Sequence, residues 1–199
     1  MKICIYGAGA IGGYLGAQLA GTGAEVSLVA RGPHLAAMRA RGLTLVSGED
    51  SRTVQVACTD DPLTLGVQDY VILTLKAYST PAVLGHMKPL LGPDTAVVTA
   101  QNGVPWWYFH AFPGPLQHRH LEAADPGGRI WQALGPARAI GCVVYPSCEI
   151  VEPGVVRHIE GTRFMVGEPD GTKSARVTTL SEVLTAAGLK APARQKIRD

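Results

Sequence analysis

The chain has 199 residues, of which 46% are hydrophobic and 17% charged, and its formal net charge at pH 7 is +2. This length and composition suit one large globular domain or two small ones, and the nearly balanced charge argues against a nucleic-acid partner. The chain has no C-x-x-C pair, no secretory signal at its start and no apolar window long enough for a bilayer, so we expect no zinc-finger site, no membrane partner and a cytoplasmic location.

The N-terminal stretch MKICIYGAGAIGGYLGAQLAGTGAEVSLVAR has the order of elements that dinucleotide binding requires. Its pattern predicts an apolar strand from Lys2 to Tyr6, a glycine turn, an amphipathic helix to about Ala20 and a second apolar strand from Glu25 to Ala30. An ordinary strand, turn and helix without a ligand is the alternative. We therefore expect a Rossmann-type, doubly wound α/β domain.

The glycine turn has the spacing G-x-G-x-x-G. Gly7 would let the chain turn sharply, Gly9 would leave room for a pyrophosphate, and Gly12 would let the helix lie close to the sheet. The free N–H groups and the positive dipole end of the helix would attract the same phosphates. The predicted cofactor-binding residues of this turn are Gly7, Ala8, Gly9, Ala10, Ile11 and Gly12.

The second strand ends in Arg31 where NAD-specific sites usually carry an acidic residue. A carboxylate there would hold a ribose 2′-hydroxyl, whereas a guanidinium can bind a 2′-phosphate. Arg31 therefore predicts NADP(H) as the cofactor. A solvated arginine at a strand end is the alternative.

The next segment predicts a short helix from Pro33 to Gly42 and then a β-hairpin. Residues 43–47 and 53–58 alternate in polarity and flank the polar loop GEDSR. These would be extra antiparallel strands on a mostly parallel sheet. A buried strand is predicted from Tyr70 to Leu75.

Two polar side chains follow predicted strands. Lys76 comes after the strand that ends at Leu75, and Asn102 comes after a strand from Thr95 to Thr99. Carboxyl ends of parallel strands share one edge, so Lys76 and Asn102 are expected to meet above one crevice. An ammonium there can attract pyrophosphate or a substrate carboxylate, and a carboxamide can bind ribose, nicotinamide or substrate. A surface lysine and an Asn-Gly turn are the alternatives.

The motifs GAGAIGGYLG at the start, TLKAY around Lys76 and QNGVPWWYF around Asn102 resemble the ketopantoate reductase family, the 2-dehydropantoate 2-reductases. The closing residues APARQKIRD also resemble the end of that family's N-terminal domain. The resemblance implies NADPH-dependent reduction of a 2-keto acid, with Arg31 binding the 2′-phosphate and with Lys76 and Asn102 bordering nicotinamide and substrate. It also implies that Pro146 touches the cofactor.

In the resembling family an all-helical domain follows, carrying the lysine that protonates the developing alkoxide. The chain is therefore expected to be one NADP-binding domain, with a core to about residue 190 and residues 191–199 beginning the linker. No catalytic residue is assigned within residues 1–199, and the chain is expected to be truncated or naturally short. Without the helical domain an apolar face of this domain would be uncovered, so we expect that the chain can form a homo-oligomer.

Residues 104–138 are the least regular stretch. The aromatic run beginning at Trp106 predicts packing on the sheet, with a substrate pocket as the alternative. His118, His120 and Glu122 could be metal ligands, but they lie on a polar, proline-rich loop without a further ligand pattern. We predict no metal site.

The remaining chain predicts a buried strand from Ala139 to Tyr145 and two paired strands, residues 155–160 and 163–166, that close the sheet. His158 is explained by alternation in its strand, with a general acid as the alternative. Ser174 should begin a helix that stops at Gly188. The sequence LKAPA predicts a last short strand.

Three functions remain open from the sequence. The first is the cofactor-binding half of an NADPH-dependent reductase, which would bind NADPH with little turnover alone. The second is a non-catalytic NADP(H)-binding module. The third is the N-terminal domain of another two-domain dehydrogenase.

Overall fold

The computed structural model describes all 199 residues and has eleven strands and five α-helices. In chain order the strands are β1 (Lys2–Tyr6), β2 (Glu25–Val29), β3 (Leu43–Ser47), β4 (Asp50–Val54), β5 (Ala57–Thr59), β6 (Gln68–Leu73), β7 (Leu91–Ala100), β8 (Ala139–Val144), β9 (Ser147–Glu152), β10 (Val155–Glu160) and β11 (Phe164–Gly167). The helices are α1 (Ala10–Leu19), α2 (Gly32–Arg41), α3 (Leu84–Met87), α4 (Arg129–Leu134) and α5 (Ala175–Ala186). None of the helices combines the length and the apolar character that a bilayer span requires.

Seven strands form the main sheet, in the order β11-β8-β7-β6-β1-β2-β5. All neighbours in it are parallel except β8 and β11, which are antiparallel. The chain winds in opposite directions on the two sides of β1, because β2 lies on one side and β6 on the other. This is the doubly wound Rossmann arrangement with extra antiparallel strands that the sequence predicts.

Both faces of the main sheet are covered. Ile3 and Ile5 point into the larger apolar cluster, with α1 and α5, while Cys4 and Tyr6 point into the smaller cluster on the opposite face. Alternate side chains of a strand face opposite ways, so a strand buried on both faces reads as a continuous apolar run. Each fully buried aliphatic side chain contributes roughly 2 kcal/mol to folding.

The remaining strands form a small sheet in the order β4-β3-β10-β9, and this sheet covers α1 on the side away from the main sheet. Two glycines permit this double packing. A Cβ on Gly13 would lie 2.8 Å from Val156 of the small sheet, and a Cβ on Gly16 would lie 2.6 Å from Leu28 of the main sheet. Helix α1 is therefore held between two sheets.

The predicted hairpin of residues 43–47 and 53–58 is partly wrong. β3 pairs with residues 50–54 across a short turn, and residues 57–59 leave to join β2 in the main sheet. β4 is largely exposed and polar, so its sequence lacks the alternation of apolar residues that marks a half-buried strand. Its Arg52 donates a hydrogen bond to the carbonyl of Ala17 on α1.

The prediction that residues 155–160 and 163–166 pair with each other is also wrong. β10 pairs with β3 and β9 in the small sheet, whereas β11 pairs with β8. β9 is not predicted from the sequence, because four of the six residues of this edge strand are exposed and the strand has no buried apolar face. A turn at Pro153-Gly154 connects β9 to β10.

The segment after Lys76 is irregular, and one further predicted element is not formed as a strand. The chain after Lys76 forms a 3₁₀ turn at residues 77–83 before the short α3, because Pro81 lies inside the segment and cannot donate a helical hydrogen bond. The predicted last strand is reduced to isolated bridges, Arg163 with Lys190 and Val166 with Ala193. The predicted cap is confirmed, since Ser174 accepts a hydrogen bond from the Val177 amide at 3.2 Å.

Candidate functional site

The carboxyl edge of the main sheet collects the predicted site residues. Five of them follow neighbouring parallel strands: Pro146 follows β8, Asn102 β7, Lys76 β6, Gly7 β1 and Arg31 β2. Ligands of open α/β sheets bind at this edge, where the winding reverses, here beside β1. The residues are distant in sequence, and only the strand order brings them to one edge.

Gly7 makes the turn off β1. Its φ is +107°, and a Cβ there would lie 2.6 Å from Leu75. The Gly7 and Ala8 amides both donate to the carbonyl of Val29, at 3.1 and 2.9 Å. A side chain at position 7 would therefore meet both backbone strain and a steric clash.

Gly12 packs directly against the turn. A Cβ on Gly12 would lie 2.3 Å from the Gly7 carbonyl oxygen and 2.6 Å from the Thr74 hydroxyl. That hydroxyl donates to the same Gly7 oxygen at 2.7 Å, so Thr74 holds the turn from the end of β6. Thr74 is a site-forming residue that sequence reasoning missed, although it lies within the TLKAY motif.

The start of α1 suits an anion. Gly9 is its N-cap and supplies no side-chain hydrogen bond, and the first turn contains no acidic residue. The first amides of a helix have no partner within it, so those of Ala10, Ile11 and Gly12 carry the positive end of the dipole. A Cβ on Gly9 would meet only the Gly7 oxygen, at 4.0 Å, so the space above this glycine is open for a ligand. These features fit a pyrophosphate.

Arg31 is the exposed N-cap of α2 and makes no side-chain hydrogen bond or ion pair. Carboxylates are present on the neighbouring loop, after β5. However, Asp60 is paired with Arg39 at 3.1 Å, and Asp61 accepts from the Leu63 amide at 3.0 Å. Arg31 is therefore a cation without an ion-pair partner at this end of the edge, and of the two carboxylates only Asp60 has a cationic partner.

Lys76 is exposed after β6 and likewise has no side-chain partner. Asn102 differs, because its carboxamide is hydrogen bonded to the backbone of Val144: Nδ2 donates to the carbonyl oxygen at 3.0 Å and Oδ1 accepts from the amide at 3.2 Å. The side chain retains one N–H and one acceptor lone pair. Pro146 lies buried two residues beyond Val144.

Gln101 is a second residue that sequence reasoning missed. Its Nε2 donates to the Leu75 carbonyl at 2.8 Å and to the Thr80 hydroxyl at 3.1 Å. It therefore joins the end of β7 to the segment that carries Lys76. The QNG motif marks its position, but its partners become visible only when the two strands are paired.

A cavity of about 280 Å³ lies beside Asn102, between the loop after β7 and the last residues of the chain. Trp107 and Tyr108 form part of its wall, and Arg198 closes one side. The Arg198 guanidinium donates to the carbonyls of Tyr108 and His110, and partial burial lowers its pKa. Trp106 and Trp107 are both buried, as the packing interpretation of the aromatic run predicts.

The histidines singled out in the sequence lie elsewhere. His158 stacks on Tyr14 with ring centroids 4.6 Å apart and contacts the Ser47 hydroxyl at 3.1 Å, within the small sheet. His120 lies 3.4 Å from Glu122 and 3.4 Å from the buried Asp125. The structure groups no three His, Cys, Asp or Glu side chains in a metal-binding arrangement.

Comparison with known proteins gives consistent matches. The family described as ketopantoate reductase PanE/ApbA matches residues 3–171. A 2-dehydropantoate 2-reductase from Mesorhizobium japonicum is 54% identical over the whole chain, which covers 61% of that relative. One from Pyrococcus horikoshii is 30% identical over 99% of the chain and 57% of the relative.

Solved structures agree in fold. A crystal structure assigned as a ketopantoate reductase from Ralstonia solanacearum MolK2 has a TM-score of 0.91 and 46% identity, covering 97% of this chain and 60% of that one. A ternary structure of D-mandelate dehydrogenase with NADH and anilino(oxo)acetate has a TM-score of 0.80 at 21% identity, covering 100% of this chain and 58% of that one, and shares the fold. The chain thus spans about 60% of the length of the first relatives it matches.

Proposed function

The chain belongs to the ketopantoate reductase family, and from this membership we propose that it binds NADP(H) and supplies the cofactor-binding half of a 2-keto acid reductase. The observation that carries the proposal is the uncapped, acid-free start of α1, framed by Gly7 and Gly12 at the point where the winding reverses. Such a turn accepts a pyrophosphate through backbone N–H groups. Residues 1–190 would form the domain core, and residues 191–199 would begin a linker.

The preference for NADP(H) over NAD(H) rests on Arg31. Its guanidinium is exposed and unpaired at the end of β2, whereas the nearby Asp60 and Asp61 are engaged by Arg39 and the Leu63 amide. A guanidinium without a partner favours a 2′-phosphate, and the position directly after β2 carries no carboxylate to hold a 2′-hydroxyl.

Bound NADPH would supply the hydride for the keto carbon. In our proposal the Lys76 ammonium orients negative groups of cofactor or substrate, and the free N–H and lone pair of Asn102 bind ribose or substrate. Pro146 would border the nicotinamide. We assign no catalytic acid within residues 1–199 and expect the general-acid lysine in the family's helical domain.

The proposed substrate is 2-dehydropantoate, reduced to pantoate in pantothenate biosynthesis. The support is the 54% identity to a relative named 2-dehydropantoate 2-reductase. We also propose a cytoplasmic location, in keeping with four free cysteines. Self-association through the exposed Tyr78, Val104 and Tyr145 completes the proposal.

One observation favours a second candidate, a non-catalytic NADP(H)-binding module. The Asn102 carboxamide already uses both of its polar atoms on Val144, so its contribution to a substrate site is reduced. The N-terminal domain of another two-domain dehydrogenase would share these features.

Calorimetric titration of the protein with NADPH and with NADH tests the cofactor proposal. We expect saturable NADPH binding that is at least about tenfold tighter than NADH binding. Equal affinities would contradict the assignment of NADP(H), and the absence of binding would contradict nucleotide binding altogether.

The reaction is tested with a fusion in which residues 1–199 are followed by the remaining portion of the Mesorhizobium relative. Oxidation of NADPH that depends on 2-dehydropantoate supports the reductase. A fusion that binds NADPH but turns over neither 2-dehydropantoate nor other 2-keto acids supports the non-catalytic module.

A further inference from the structure

His34 occupies the junction of three parts of the fold. It is in the first turn of α2, three residues after Arg31, and its ring is half-buried between the glycine turn and the turn that joins β9 to β10. Its Nδ1 accepts a hydrogen bond from the Gly154 amide at 3.0 Å. Its Nε2 is buried beside the backbone of Ala8 without completing a hydrogen bond to it.

The Gly154 contact defines the protonation state of the ring. Because the Gly154 N–H donates to Nδ1, that nitrogen carries no proton, and the ring is the neutral Nε2–H tautomer. An imidazolium could not accept this hydrogen bond. Desolvation by burial lowers the pKa of His34, which favours the same neutral form.

The Gly154 side of the contact is itself firmly held. The Thr44 amide donates to the Gly154 carbonyl at 2.8 Å, and Arg41 donates to the Pro153 carbonyl at 3.3 Å. Gly154 has a φ of +86°, and a Cβ there would lie 3.0 Å from Ala37 of α2. The β9–β10 turn is therefore attached to α2 and built into the small sheet.

The small sheet also holds α1. Val156 packs against Gly13, and His158 stacks on Tyr14. The two helices whose first turns face the cofactor site, α1 and α2, are thus attached to one sheet. His34 is the side chain that reaches from the first turn of α2 to that sheet.

We infer that His34 is a positioning residue for recognition of an adenosine 2′-phosphate: its bond to Gly154 and its packing on Ala8 hold Arg31 in register with the glycine turn. The inference rests on the proposed NADP(H) function, because it concerns how Arg31 meets that phosphate. His34 does not bind the phosphate itself, since its Nε2 is buried.

The hydrogen bond between His34 and Gly154 is tested without nucleotide by amide hydrogen exchange. His34→Leu removes the acceptor, so we expect faster exchange of the Gly154 amide and of residues 8–12. His34→Asn places an oxygen near the position of Nδ1 and should restore protection. His86→Leu, at an exposed histidine of α3, is the matched control. Unchanged protection in His34→Leu would overturn this link between α2 and the small sheet.

The positioning role is tested by affinity. We expect His34→Leu to weaken NADPH binding about fivefold, the equivalent of one hydrogen bond, and NADH binding by less than about twofold. His34→Asn should stay within about twofold of wild type for both nucleotides. Equal weakening for NADPH and NADH, or no weakening despite faster exchange, would overturn the role.

The two proposals fail differently. A wild-type protein that binds neither nucleotide would contradict the proposed function and with it the positioning role, while the exchange experiment would still decide whether His34 links α2 to the small sheet. A wild-type preference for NADPH that is undiminished in His34→Leu would contradict only the inference about His34.

Discussion

The carboxamide of Asn102 is hydrogen bonded to the backbone of Val144 as a peptide group would be. β7 and β8 pair up to Ala100 and Cys142, and the next positions in that register are residues 102 and 144. The Asn102 side chain therefore extends the ladder beyond the end of β7. It stabilises the edge of the sheet and still presents one N–H to the site.

Replacement of Asn102 should affect stability as well as binding. Asn102→Ala removes two hydrogen bonds, and we expect the free energy of unfolding to fall by about 1–2 kcal/mol. Urea denaturation measures this loss. Gln132→Ala, at an exposed amide on α4, serves as the control and should change stability by less than about 0.5 kcal/mol. A wild-type unfolding curve for Asn102→Ala would contradict the structural role.

Gly9 and Gly12 should respond differently to alanine. Gly9→Ala meets no protein atom closer than 4.0 Å, so its stability should stay within about 0.5 kcal/mol of wild type. Its methyl group would occupy the space left for pyrophosphate, and we expect NADPH binding to weaken at least about 100-fold. Gly21→Ala, which also meets nothing within 4 Å, is the control. Calorimetric titration and thermal unfolding separate the two effects.

Gly12→Ala should damage the fold itself. Its Cβ would lie 2.3 Å from the Gly7 carbonyl oxygen, so the glycine turn or α1 must shift. We expect a loss of about 2 kcal/mol or more in the free energy of unfolding, together with lost NADPH binding. Stability equal to that of Gly9→Ala would show that the turn adapts, contrary to this expectation.

Arg31→Ala should convert the nucleotide preference. The lost charge-assisted hydrogen bonds to a 2′-phosphate should weaken NADPH binding about 10- to 100-fold and leave NADH binding nearly unchanged. Arg119→Ala, at an exposed arginine of the irregular loop, is the control. An unaltered ratio of the two affinities would contradict the proposal that Arg31 binds the 2′-phosphate.

His34 should make stability depend on pH. Its pKa in the folded protein lies below the usual value of about 6.5, so the unfolded chain binds the proton more readily. The neutral ring therefore contributes stability above about pH 6.5, and this contribution falls as the pH drops toward the folded-state pKa. Charged side chains are absent from the two turns packed on the ring, residues 7–12 and 153–156, and α2 with its cap brings only Arg31, Arg39 and Arg41.

The measurement is urea denaturation of wild type and His34→Asn between about pH 5 and 8, with His86→Asn as the control. The stability of wild type relative to that of His34→Asn should be highest above about pH 6.5 and should fall on acidification. A difference that is constant with pH would show that His34 does not titrate in this way.

Glu168 should matter for stability alone. Its buried carboxylate accepts from Arg176, at 2.7 and 2.6 Å, and from the Ser174 hydroxyl at 2.5 Å. It follows β11, which runs antiparallel to β8, so it lies at the edge opposite the proposed cofactor site. Glu168→Gln should cost about 2 kcal/mol in unfolding free energy without changing NADPH affinity. The exposed Glu182→Gln is the control, and altered affinity would contradict this separation.

The parts of the fold that depend on neighbouring residues in the chain were predictable. The glycine spacing, the apolar run of β1 and the cap at Ser174 each follow from local sterics or local hydrogen bonding, and the structure reproduces them. β6 and β7 were also recognised, because strands buried on both faces have continuous apolar sequences. Both strands begin a few residues before the predicted position, β6 at Gln68 and β7 at Leu91, because less apolar residues continue the pairing there.

The small sheet was not predictable in this way. β9 and β4 are exposed edge strands, and β10 pairs with β3, which is more than one hundred residues earlier in the chain. Exposed strands have no apolar signature, and pairing between distant segments is specified by the complete packing arrangement. Thr74 and Gln101 were missed for the same reason, since their partners lie on other strands.

The amino-acid sequence alone specifies the parallel Rossmann sheet, the glycine turn and the set of side chains at strand ends, because these follow from periodicity and from the steric freedom of glycine. It took the folded molecule to establish that Asn102 binds Val144, that Thr74 holds Gly7 and that His34 joins α2 to the small sheet. Those contacts join residues far apart in the chain. Their geometry exists only after the two sheets have packed around α1.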